Sequence, residues 1–142
     1  MLSDYTNNTE NNTEEAQISC ADVDDPRTEA MMRELLTRLA DRWTLLAIEH
    51  LGAGPMRFSR LREKLEGVSQ KMLTQTLRQL ERDGLVARHV HPVVPPHVEY
   101  SLTPLGGSLG GAVCALWQWV AEHGDHMEAA RQAFARRISE TV

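Results

Sequence analysis

Five polar side chains recur along one stretch of this 142-residue sequence at a spacing suited to reading a nucleic acid. Lys71, Thr74, Gln75, Arg78 and Arg82 fall at i, i+3, i+4, i+7 and i+11, so on a helix they make one stripe of hydrogen-bond donors and positive charge. A helix with its side chains is roughly 10–12 Å across and fits a major groove, where Arg pairs with guanine, Gln with adenine, and Thr touches a thymine methyl. Ser69 and Gln70 stand just ahead of the stripe. Arg57 and Arg60 on the preceding segment, and Arg88 and His97 after it, would meet phosphates, which position a protein without reading sequence. A polar stripe is by itself the ordinary solvated face of an amphipathic helix. Its company distinguishes this one: a basic helix before it and a proline-stiffened hairpin after it.

Other chemistry is thin. His89 and His91 share a strand face and His97 lies across the hairpin, but only Glu99 is near enough to be a fourth ligand, so no metal site is expected. Cys20 and Cys114 are the two thiols open to a redox role. Acidic neighbours disfavour a thiolate at Cys20, while Cys114 sits in an apolar stretch and reads as a packed core cysteine. Glycine-rich phosphate loops, a nucleophile elbow and Cys or His pairs at catalytic spacing are all missing, so neither an enzyme nor a cofactor is expected.

The elements that must position the stripe follow from composition and periodicity. Residues 1–27 carry seven acidic side chains against Arg27 alone and almost no large apolar residues, which predicts a disordered acidic tail. The rest, residues 28–142, should form one domain. The net charge of −5 hides a basic middle, since residues 57–88 hold eight basic and four acidic side chains. The longest uninterrupted apolar run, Ala112 to Trp117, is six residues, too short to cross a membrane, and the first residues do not resemble a secretory signal; a cytoplasmic protein is expected.

Met31, Met32, Leu35, Leu36 and Leu39, then Trp43, Leu46 and Ala47, have the spacing of buried helix faces, with Asp41 as a cap between two helices. Gly52, Gly54 and Pro55 stop the second helix. A short third helix places Phe58, Leu61 and Leu65 on one side, and Gly67 ends it. Ser69 caps a fourth, which carries the stripe opposite Leu73, Leu77 and Leu80 and closes at Gly84. The period then becomes two from Leu85 to His91 and from His97 to Leu102, a hairpin joined by Pro92-Val93-Val94-Pro95-Pro96. Thr103 caps a last long helix, which Gly124 should break ahead of a polar helix from about Asp125 to Ile138. The class is mainly α with a small β-hairpin: a winged helix-turn-helix with flanking dimerisation helices.

The stretches DRWTLLAIEHL, RFSRLREKL, SQKMLTQTLRQLERDGLV and PPHVEYSLTPLG, in that order, resemble the HxlR family of bacterial transcriptional regulators over about residues 30–123. The resemblance implies a dimer on a palindromic operator in double-stranded DNA, with Ser69, Lys71, Thr74, Gln75 and Arg78 facing the duplex and a wing from Arg88 to His97. It also implies an interface made by the first and last helices, hence by Met31, Leu35, Leu109, Val113, Leu116, Trp117 and Val120. Three positions depart from the family. Ala30 stands where many members have a redox-reactive cysteine, which argues against thiol sensing there. His97 replaces an arginine or lysine of the wing, and Ala40 replaces a glycine, which should let the first helix run on. The expected function is a sequence-specific repressor open to a small-molecule effector. The rivals are a winged helix that docks on protein, and a ligand or metal sensor with secondary DNA binding.

Overall fold

The computed structural model describes residues 25–141; residues 1–24, with Cys20 and most of the acidic segment, lie outside the described residues. The chain divides after Ala40 into two compact units.

The described part of the first unit is one helix, α1 (Pro26–Leu39), which starts two residues ahead of residue 28, where the folded domain is expected to begin. Asp25 explains the early start. Its carboxylate accepts the backbone N–H of Thr28 at 3.3 Å and the Thr28 hydroxyl at 3.0 Å, and Pro26 sits in the first turn, where an N–H has no partner to lose. Ala40 does not prolong the helix as expected, because the next residue, Asp41, already caps α2 (Arg42–Gly52) by accepting the Trp43 N–H at 3.0 Å.

After α2 the second unit runs β1 (Met56–Arg57), α3 (Phe58–Lys64), α4 (Gln70–Arg82), β2 (Val86–His91), β3 (His97–Leu102) and α5 (Pro104–Thr141). Gly54, at φ +140°, makes the turn out of α2. The core collects Ala47, Ile48 and Leu51 from α2, Leu61 and Leu65 around α3, Leu73, Leu77 and Leu80 from α4, and Val86 and Tyr100 from the sheet. The helical residues repeat at three and four, so one face of each helix is apolar and burial fixes its rotation. Among the described residues no helix is long and apolar enough to cross a membrane.

The hairpin gains a third strand that periodicity could not show. β3 lies between β1 and β2, antiparallel to both, with Met56 opposite Tyr100 and Arg57 opposite Glu99. Two residues are too few to display a period of two, and their partners are more than forty positions away. On the other side Arg88 stands opposite Tyr100, and His91 opposite His97.

One threonine joins the wing to the last helix. The Thr103 hydroxyl donates to the Gly84 carbonyl at 2.6 Å and accepts the Gly106 N–H at 3.0 Å. It thereby caps α5 and ties that cap to the turn that closes α4. Thr103→Val keeps the shape and removes both bonds, so a loss of about 1–2 kcal/mol in urea unfolding, with an unchanged denaturant slope, is the expected result.

α5 is continuous over 38 residues, and Gly124 does not break it. A single interior glycine costs a helix about 1 kcal/mol, too little to interrupt flanks rich in Ala, Glu and Met. The helix buries only Gly106 and Val113; Leu116, Trp117, Val120, Met127, Phe134 and Ile138 are all exposed beyond them.

Candidate nucleic-acid interface

Burial on α4 separates the two faces the sequence assigns to it. Leu73, Thr76, Leu77 and Leu80 are buried, while Lys71, Thr74, Gln75, Arg78 and Arg82 are exposed. Ser69 spends its hydroxyl oxygen on the Met72 N–H at 3.1 Å, which fixes where the helix begins. Thr74 donates its hydroxyl to the Gln70 carbonyl at 2.7 Å, leaving a methyl and an acceptor lone pair for a groove. Among the described residues, Lys71, Arg78 and Arg82 have no ion-pair partner.

Six of the residues that the sequence singles out come together. Arg57, Gln70, Thr74, Arg78, Arg88 and His97 line one cleft of about 700 Å³ where α3 and α4 meet the wing. Arg88 reaches it because it stands opposite Tyr100 and therefore shares that ring's sheet face. Lys71 and Gln75 flank the cleft on the open side of α4, in a shallower depression shared with Gln70, Thr74 and Arg78. Arg60 lies apart from both, 3.7 Å from Glu63 in an exposed ion pair that holds it weakly. Lining residues the sequence reading missed include Phe58, which it set on one side of the third helix with Leu61 and Leu65, together with Val98 and Tyr100. The alternation of Val98, Tyr100 and Leu102 was the available signal, since a sheet face carries its residues to the rim as well as to the centre.

The remaining nominated residues are scattered. His91 and His97 stack at 4.6 Å between ring centroids, and His91 Nε2 is 3.7 Å from Glu99 Oε1. Among the described residues, no three His, Cys, Asp or Glu side chains cluster as metal ligands. Cys114 is exposed on α5 instead of packed in the core, with Gln118 Nε2 4.0 Å from its sulfur. Of the nominated interface residues, Leu116, Trp117 and Val120 are exposed and Leu109 is half-buried; Met31 is exposed and Leu35 half-buried on α1. Val113 is only 5% exposed and counts among the core residues.

A family model described as HxlR-like helix-turn-helix matches residues 38–128. The HTH-type transcriptional regulator YtfH of Escherichia coli is 52% identical over 88 residues, covering 62% of this chain and 70% of that protein. The solved structure of the transcriptional regulator YtfH from Salmonella typhimurium superposes with a TM-score of 0.63 at 48% identity, over 71% of this chain and 90% of that one. The redox regulator HypR in its oxidised form superposes at a TM-score of 0.59 and 36% identity, over 64% of this chain and 94% of that one.

Proposed function

The chain belongs to the HxlR-like helix-turn-helix family and is a winged helix-turn-helix transcriptional regulator; from that premise we propose that it is a homodimeric, effector-responsive repressor of a palindromic operator, working in the cytoplasm. The supporting observation is α4, whose leucine row is buried while its cationic and amide stripe stays open beside the wing. In this reading α4 enters the major groove, where Gln75 and Arg78 read bases, and the wing tip meets the neighbouring minor groove. Ser69, Gln70, Lys71 and Thr74 complete the groove face; Arg57, Arg60, Arg88 and His97 contact phosphates.

A second copy is invoked for a physical reason. An unsupported helix is marginal in water, and α5 exposes Leu116, Trp117 and Val120. Twofold pairing would cover such a face, double the base contacts and set the half-site separation near one or two helical turns. Selecting fragments of the organism's own genomic DNA with the purified chain, with and without reductant, should recover an inverted repeat at that separation. Fragments sharing no half-site, or sharing one that is never repeated, would overturn the palindrome and the dimer on it.

A further inference from the structure

The cleft beside α4 holds more than a duplex needs. Its floor is aromatic and apolar: Phe58 and Tyr100 lie with ring centroids 6.4 Å apart, tilted by 51°, and Val98 lies two residues along the same face of β3. Its walls are cationic, with Arg78 coming from α4 and Arg88 from β2, directly across the sheet from Tyr100. Neither guanidinium has a hydrogen-bond or ion-pair partner among the described residues, and Glu81 is the lone carboxylate in the lining. The volume, about 700 Å³, is that of a small-molecule site, where binding mostly combines an apolar lining with a few fixed polar groups.

A sugar-phosphate chain can satisfy the arginines, but it offers no flat apolar surface for the rings beneath them. A planar arene bearing a carboxylate satisfies both, with its ring against Phe58 and Tyr100 and its oxygens in a forked contact with a guanidinium. We propose that this cleft is an effector site for aromatic carboxylates. Its occupation takes Arg78 and Arg88 from DNA, so ligand and operator exclude one another and the ligand derepresses. The exclusion rests on the DNA-binding reading above; the binding of the carboxylate does not.

The two halves are tested separately on the full-length chain. In titration calorimetry without DNA, 2-naphthoate should bind at least about tenfold more tightly than acetate, which lacks the ring, or 2-naphthalenemethanol, which lacks the charge. Arg88→Gln, an exposed substitution, should weaken 2-naphthoate about tenfold while leaving the thermal melt of the free chain in place. Phe58→Leu should shrink the advantage of 2-naphthoate over acetate. Failure of 2-naphthoate to bind at millimolar concentration, or equal binding by Arg88→Gln and the parent, overturns the site. In the presence of a selected operator, 2-naphthoate should raise the apparent Kd for DNA in proportion to its own occupancy. Equal affinity of 2-naphthoate for free and DNA-loaded protein overturns the exclusion. Binding of 2-naphthoate by a chain that binds no duplex would sink the DNA reading and leave the carboxylate site standing.

Discussion

Gly106→Ala should destabilise the chain by about 3 kcal/mol, near the top of the range for overpacked positions. A Cβ there would overlap the Leu85 carbonyl oxygen and lie 2.9 Å from the Leu85 carbonyl carbon and 3.3 Å from Leu102 Cδ2. The first two atoms are backbone and cannot swing aside. They are also pinned, since the Leu85 carbonyl accepts the Thr103 N–H at 3.1 Å. The intrinsic helix preference of alanine returns only about 1 kcal/mol, so the clash decides the sign. Its neighbour gives the control: a Cβ on Gly107 would meet nothing within 4 Å. Gly107→Ala should therefore be neutral or stabilising by roughly 0.5 kcal/mol. Urea unfolding of both variants at one chain concentration measures the difference, and the Gly106→Ala midpoint in a thermal scan should fall by about 10 °C.

The second large effect is on DNA. If each dimer neutralises about six phosphates, raising salt from about 50 to about 200 mM should weaken binding about a thousandfold. Within that electrostatic background the two kinds of contact separate by substitution. Arg78→Ala and Gln75→Ala should cost about 1–3 kcal/mol on the operator, or roughly ten- to a hundredfold, and much less on random duplex. Arg60→Ala should weaken both duplexes alike and lower the salt slope by about one, because the exposed Glu63 pair does little to hold that side chain back. Fluorescence anisotropy across a salt series supplies every number required. Equal losses for Gln75→Ala on operator and random duplex would take that residue out of base reading, and a Kd indifferent to salt would favour a protein-docking role for the winged helix.

What could be read from the sequence was local. Asp41, Ser69 and Thr103 cap their helices as their residue types predict, because a cap is settled within three or four positions. The inward row of α4 follows from helical period alone. Misreadings occurred where a distant partner or a competing local signal decides. β1 exists because Met56 and Arg57 find β3, which no window on residues 56 and 57 can show. Ala40 could not extend α1 against the cap of the following residue, and Gly124 lacked the energy to stop α5. Val113 belongs to the same apolar stripe as Leu116 and Trp117, yet only the start of α5 meets the body of the second unit, so a single pattern spans a buried end and an open one. The cleft was half legible: its charged walls stand out in the sequence, while its ring floor was hidden among residues that also serve the core.

The length of α5 has a mechanical consequence. At 38 residues it is roughly 57 Å long, anchored at one end through Thr103 and Gly106. A stiff rod gripped at its root turns small angles into large displacements: a tilt of about 5° moves the far tip by roughly 5 Å. Run in reverse, anything that clamps the distal turns near Phe134 and Ile138 holds a long lever on the root of the helix, and fixes its direction there with far less force than would be needed at the root itself.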